Sequence, residues 1–308
     1  MKLNSIYSFI ISLGIMAALS SCQDKEASAA GSSAEEAPAA ASSGAEAVPA
    51  ATEQPGGDAK DWPTWGRDGS RNMVGSASNL PVEVNPGEMD DETEEIDLTD
   101  AKNIRWVAKL GSQSYGTTSV AFGKVFAGTN NESPRDERNV VDRGNLMCFD
   151  EKTGEFLWQL VAPKLGARKV SDWEYVGLCS SPAVEEDRLW VVTNRGEVVC
   201  LDMNGLADGN DGPFQDEQKY YGAGYSGIAK ARDVTVDGET RTLSDANATL
   251  VETLTKQIEG GLEGDALKGA VGRRKGAFAE GCPKIDNTYA DILWVFDMRD
   301  ADNGVGAF

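Results

Sequence analysis

The sequence predicts an all-β fold assembled from repeated four-stranded units, and three observations carry that expectation. Gly123–Asn130 reappears as Asp187–Asn194, a run of apolar residues closed by Thr-Asn. Gly144–Asp150 reappears as Gly196–Asp202, each copy ending in a cysteine, one apolar residue and an aspartate (Cys148 and Asp150; Cys200 and Asp202). A short element ending in tryptophan occurs three times, at Trp106, Trp158 and Trp294, and the first two tryptophans are 52 residues apart. That interval matches a four-stranded propeller blade. The sequence therefore predicts an incomplete β-propeller, with about two four-stranded blades, the start of a third and a small α+β insertion.

Composition narrows the function classes. The chain has 308 residues, 40% of them hydrophobic, enough for a sizeable core. Acids outnumber lysine plus arginine by 50 to 29, a net charge of −21, which repels nucleic acid. There is no histidine. Ser-His-Asp and Cys-His catalysis and histidine-ligated zinc are excluded within this chain.

At the N-terminus an apolar run of about 14 residues, Ile6–Leu19, follows Lys2. It is too short for a bilayer-spanning helix and suits a signal peptide. Leu19-Ser20-Ser21-Cys22 resembles a bacterial lipobox, which implies a signal peptide over 1–21 and acylation of Cys22. Gln23 after the cysteine favours the outer membrane under the sorting rule of such lipoproteins, with the protein facing the periplasm or the cell surface. Several acyl chains make such an anchor stable. Residues 22–61 are almost wholly Ala, Ser, Glu, Pro and Gly, with Val48 the one branched apolar residue. That composition predicts a disordered tether of about 35 Å root-mean-square span.

Two blades are expected over 62–204. Each copy reads as a Trp strand, a Ser-rich strand (Thr118–Ala121; Ser180–Val184), a Thr-Asn strand and a Cys-x-Asp strand, giving blades at 104–150 and 155–202. Asp150–Gly154 reads as a tight turn with glycine at positive φ. Cys148 and Cys200 fall at equivalent positions and read as small buried packing residues. No disulfide pairing among Cys148, Cys179, Cys200 and Cys282 is favoured by the spacing.

Residues 205–290 interrupt the repeat as an inserted subdomain. It contains a hairpin over 234–243 around Asp237-Gly238, then a helix capped by Ser244 with Leu250, Leu254 and Ile258 on one face. Such an insertion is a candidate recognition element. Residues 291–308 read as the first strand of a third copy, after which few residues remain, as in a truncated product of a longer protein.

Several local patterns fail on their context. Gly222–Gly227 matches the dinucleotide fingerprint in letters but has neither a preceding apolar strand nor a following helical pattern. Asp208-x-Asn210 opens like a calcium loop, yet Lys219 stands at position twelve, where an EF-hand needs a bidentate acid. Glu83–Asp100 carries nine acids and reads as a solvated loop, and Arg273–Lys275 as a solvated basic turn.

The opening Trp62–Asn72 and the repeated Gly144/Cys148/Asp150/Gly154/Trp158 and Ser180–Leu189 patterns resemble PQQ-like β-propeller repeat proteins, in particular exported members from planctomycete-type bacteria. The barrel-assembly lipoprotein of Gram-negative outer membranes shares that fold. The resemblance covers about residues 62–298. It implies a non-catalytic binding or scaffold module of the cell envelope, held to the membrane through Cys22 and meeting an envelope protein. The alternative it implies is a fragment of a PQQ- and calcium-dependent quinoprotein dehydrogenase. In some of those enzymes adjacent cysteines form a disulfide, and this sequence has no adjacent pair. No calcium ligand or catalytic base transfers residue by residue, so no catalytic residue is assigned. PQQ and calcium enter through the resemblance alone.

Overall fold

In the computed structural model, which describes residues 61–78, 80–93, 95–165, 172–222 and 231–300, the Val-, Leu- and Phe-rich runs are strands and their Gly/Asp-rich joints are turns. Cys22, the signal segment, nearly all of the tether and the last eight residues lie outside the described residues. The described residues fall in one unit, Ala50–Phe308. None of their helices is long and apolar enough to cross a membrane.

The acidic stretch forms a two-residue hairpin, β1 (Glu88–Met89) with β2 (Ile96–Asp97). Its turn is tied by Asp90, whose carboxylate accepts from the backbone N–H groups of Glu92 and Thr93. Next come β3 (Ser119–Ala121), β4 (Lys124–Asn130), β5 (Arg143–Asp150) and β6 (Phe156–Pro163). They form one antiparallel sheet in that order. The second sheet begins with β7 (Ala183–Glu185), β8 (Arg188–Val192) and β9 (Glu197–Asp202). After β9 the chain makes a 3-10 turn at Gly205–Ala207 and enters the insertion. The insertion holds α1 (Glu217–Gly222), β10 (Ala231–Val236), β11 (Glu239–Ser244), α2 (Asp245–Glu259), α3 (Gly264–Ala279) and β12 (Cys282–Pro283). The chain then returns as β13 (Ile292–Asp297), which pairs antiparallel with β9 and gives the order β13-β9-β8-β7.

This corrects the expected phase of the repeat. Each sheet runs Ser-rich strand, Thr-Asn strand, Cys-x-Asp strand and then Trp strand, so the Trp strand closes a sheet instead of opening one. Trp158 lies in β6 and Trp294 in β13. The Trp294 strand is thus the fourth strand of the second sheet and not the start of a third unit. Trp106 lies in no strand. Sequence distance misleads here because antiparallel neighbours meet through short turns. The Asp150–Gly154 turn joins β5 to β6 inside one sheet, with Gly154 at φ +76°.

The main core lies between the two sheets. Phe126, Leu146, Cys148, Trp158 and Leu160 of the first pack with Val184, Leu189, Val191, Val199, Leu201 and Ile292 of the second. Trp62 and Pro63 bind one edge strand of each sheet, β3 and β7. Trp62 exchanges backbone bonds with Val120 (2.7 and 3.0 Å), and the Val184 N–H donates to the Pro63 carbonyl at 2.8 Å. Exposed edges invite further pairing, and this dipeptide covers both.

The insertion has its own small core of Val234, Leu243, Ala248, Val251, Ala277 and Phe278. The hairpin turn is where expected, with Asp237 at φ 52° and Gly238 at φ 87°, the left-handed pair a two-residue turn needs. Ser244 caps α2 by accepting from the Asn247 N–H at 3.4 Å. The buried stripe of α2 is Ala248, Val251 and Leu254, rotated from the expected Leu250/Leu254/Ile258 face because α3 packs across it. Arg143 of β5 holds the insertion in place. Its buried guanidinium donates to the carbonyls of Tyr221 (3.1 Å) and Glu280 (2.6 Å), the ends of α1 and α3.

Candidate interaction surface

Strand register makes the two sheets directly comparable. In the first, Ser119, Phe126, Cys148 and Trp158 form one cross-strand row. In the second, the equivalent row is Ala183, Trp190, Cys200 and Trp294. The next rows are Gly128, Leu146 and Leu160 in the first sheet and Val192, Val198 and Phe296 in the second. Alternation puts both rows of each sheet on one face.

The two faces differ in cover. Phe126, Cys148, Leu146 and Leu160 are fully buried and Trp158 is 1% exposed, because the second sheet lies over them. On the second sheet Trp294 is 40% exposed, Val192 40% and Phe296 38%, while Cys200 alone is fully buried. Contiguous exposed apolar side chains of this kind mark interaction sites.

The tryptophans report the same asymmetry. Trp106 Nε1 donates to the Glu151 carbonyl at 2.8 Å, and Trp158 Nε1 to the Met203 carbonyl at 3.1 Å. Each acceptor is the residue after a Cys-x-Asp aspartate. Each ring is backed by a left-handed glycine, Gly154 or Gly205, whose added Cβ would lie 2.5 or 2.8 Å from the indole. Trp294 Nε1 has no such acceptor among the described residues. The tryptophan positions flagged in the sequence are therefore docking side chains, two seated and one open. Trp190, Val192, Val198 and Phe296, which complete this face, were not singled out from the sequence, because β8, β9 and β13 are continuous apolar runs in which neither face stands out.

The remaining flagged residues are structural. Asp150 accepts from the Lys152 and Thr153 N–H groups and the Thr153 hydroxyl. These bonds, the Thr153 backbone bond first, hold its carboxyl below the ordinary range. Asp202 caps its turn through the Asn204 N–H at 2.6 Å, but burial, then Asp208, Asp211 and Asp187, raise its carboxyl. Cys148, Cys179, Cys200 and Cys282 are free thiols. Burial raises all four, so none is a ready thiolate nucleophile. Gly222 ends α1, so a helix and not a strand precedes the glycine-rich pattern, and 223–230 lie outside the described residues.

Beside the open face is a groove of about 350 Å³ lined by Asp172, Trp173, Val176, Cys179, Val192 and Asn194, among others. Asp172 is already engaged by Lys164 Nζ at 2.5 Å and by the Asn194 amide at 2.9 Å. The lining of this groove includes neither lysine nor arginine to meet the carboxylates of a tricarboxylate such as PQQ, and so does not fit it.

No protein-family model matches the chain, and no curated protein matches it. Among solved structures the chain is similar to BamB from Moraxella catarrhalis, at 13% identity over 45% of this chain, with a TM-score of 0.18. The match spans 48% of that chain, about half its length. A likeness this slight adds nothing to what the two sheets already say.

Proposed function

We propose that the protein is an envelope lipoprotein whose PQQ-like propeller blades act as a non-catalytic binding module, with the outer face of the second sheet as the contact surface. The observation that carries this reading is the exposure of Val192, Trp294 and Phe296, whose counterparts in the first sheet are sealed by a neighbouring sheet. The same comparison defines the partner surface: aliphatic side chains on a β-sheet, with a free turn carbonyl to accept the Trp294 indole N–H. The Leu19–Cys22 pattern supports lipid attachment at Cys22, and the tether gives the module reach from the membrane. No side-chain cluster in the site region favours the quinoprotein reading over this one.

The test uses the full chain in its own membrane. A photoreactive amino acid at Phe296 is expected to give a light-dependent adduct with one envelope protein, mapped to an aliphatic sheet face of that protein. Trp294→Asp removes the adduct, and the same probe at Lys268 on α3 gives none. Adducts only between copies of this chain, or equal adducts from both positions, overturn the proposal. Loss of lipid labelling and of membrane retention in Cys22→Ser tests the anchor.

A further inference from the structure

The insertion leaves the second sheet and rejoins it at one place, and the most concentrated unused chemistry lies there. Asp291, just before β13, is fully buried, and neither of its carboxylate oxygens has a hydrogen-bond partner of normal geometry. Glu217, the first residue of α1, is 2% exposed. Its Oε2 accepts from the Asn210 amide at 2.5 Å, its Oε1 has no partner within hydrogen-bond geometry, and burial raises its carboxyl against the backbone N–H groups of Glu217 and Ile292, which favour the charged form. After burial, the strongest charges acting on Asp291 are Glu217, Asp202 and Asp211, all acidic, and together they push its carboxyl up to about 6. Buried carboxylates normally face a base or a metal ion.

In the loop before α1, three oxygens converge on the Gln215 amide. Gln215 Nε2 lies 3.3 Å from the Asn210 carbonyl, 2.7 Å from Asn210 Oδ1 and 2.7 Å from the Gly212 carbonyl. One –NH₂ has two hydrogens for these three acceptors. Gly212 lies against Asp291, with a Cβ built there 3.7 Å from Asp291 Oδ1. A neutral oxygen cluster, one orphaned carboxylate at Asp291 and the half-partnered carboxylate of Glu217 are thus neighbours.

We infer that Asp291 and Glu217, with the carbonyl and amide oxygens of Asn210 and Gly212, form a binding site for a hard divalent cation, Ca²⁺ in preference to Mg²⁺. Carboxylate, amide and main-chain oxygens in a loop of free geometry are the ligand set of Ca²⁺, whereas Mg²⁺ demands a near-octahedral cage. Among the described residues no group of three acidic or cysteine side chains is placed to hold a metal ion by itself. This set needs only two carboxylates, with neutral oxygens supplying the rest. It is not an EF-hand. Lys219, at the position that disqualified the loop, pairs with Asp216 at 2.7 Å, and the second acid comes instead from the approach to β13. An ion here ties the first helix of the insertion to the strand that closes the second sheet.

The experiment uses the full chain in detergent, stripped of metal with a chelator. Terbium is the first probe, because Tyr220 and Tyr221 next to Glu217 sensitise its emission. Terbium luminescence should appear and be displaced by Ca²⁺ at a concentration at least tenfold below that needed of Mg²⁺. At free Ca²⁺ about a hundredfold above Kd, Tm should rise by about 5 °C. Asp291→Asn and Glu217→Gln should each weaken the Ca²⁺ response at least tenfold, while Asp265→Asn at an exposed site on α3 leaves it unchanged. Absence of terbium emission and of any Tm rise up to about 10 mM Ca²⁺, beyond the weak range of such sites, overturns the inference. So does an undiminished response in both variants. If a variant fails to fold, equal displacement of terbium by Mg²⁺ and Ca²⁺ from the unaltered chain overturns it as well.

Discussion

Truncating Trp158 and Trp294 to alanine separates a sealed docking position from an open one on the same repeat. Trp158 is 1% exposed and donates to the Met203 carbonyl at 3.1 Å, so Trp158→Ala removes a fully buried indole and orphans that carbonyl. Large buried aromatics cost about 3–5 kcal/mol on truncation, and the orphaned acceptor adds about 1 kcal/mol. We expect a loss of about 5 kcal/mol. Trp294 is 40% exposed. Scaled to the remaining three-fifths of its surface, with solvent filling the space and no hydrogen bond to lose, Trp294→Ala should cost about 2 kcal/mol. Equilibrium urea unfolding followed by far-UV circular dichroism reads both, at a common slope. Equal losses, or a larger loss at Trp294, would refute the reasoning, because the second sheet would then be covered as the first is.

Gly205→Ala at φ +61° drives a methyl to 2.8 Å from the Trp158 ring, whereas Gly123→Ala at φ +74° meets nothing within 4 Å. Both carry about 1 kcal/mol of left-handed strain, so thermal unfolding should show Gly205→Ala at least about 1 kcal/mol worse. Arg143→Met leaves the Tyr221 and Glu280 carbonyls unpaired and should cost about 3 kcal/mol. In hydrogen exchange the loss should fall mainly on α1 and α3, and uniform loss across both sheets would count against it. Burial opposes the shift at Asp136, but bonds from Arg138 and the Tyr289 hydroxyl at 2.9 Å outweigh it, and its carboxyl lies below the usual value. A lowered folded pKa stabilises above the unfolded value of about 3.9 and loses that contribution as pH falls through the folded one. The stability gap between the unaltered chain and Asp136→Asn should therefore be constant above about pH 5 and close below about pH 4, as acid titration with fluorescence would measure. Among Cys148, Cys179, Cys200 and Cys282, maleimide should label Cys179 first, and the other three only after unfolding, as mass spectrometry would resolve.

The four-stranded units were legible in the sequence because short apolar runs recur between the same turn residues. Cys148 and Cys200 could be aligned by eye, and their rows superimpose in register. The phase of the repeat was not legible, since a strand's sequence records which side is apolar and not which neighbour it pairs with. Trp106, Trp158 and Trp294 look alike in sequence and end in three settings: outside any strand, sealed in a sheet, and in a sheet but open. α3 was missed because four of the 16 residues of Gly264–Ala279 are glycine and most of its apolar residues are alanine, so periodicity has little to register, and Arg273–Lys275, read as a turn, lies inside it. In the loop from Asp208 to Lys219, Asn210 was read as part of a failed calcium pattern and Glu217 was not singled out, and Asp291 reaches them only through the fold.

The position of the insertion sets an order of assembly. β9 ends at Asp202 and its outer neighbour begins at Ile292, whereas β5 and β6 are joined by a five-residue turn, Glu151–Glu155. Closing a loop of about 90 residues instead of about five costs about 2.5 kcal/mol more in chain entropy. During synthesis the first sheet is complete while the second still waits with a bare β9 flank, and helical subdomain collapse is what shortens the gap. Folding therefore passes through a state with one sticky seam unfinished, and the speed at which the helices gather decides how long that seam stays available to wrong neighbours.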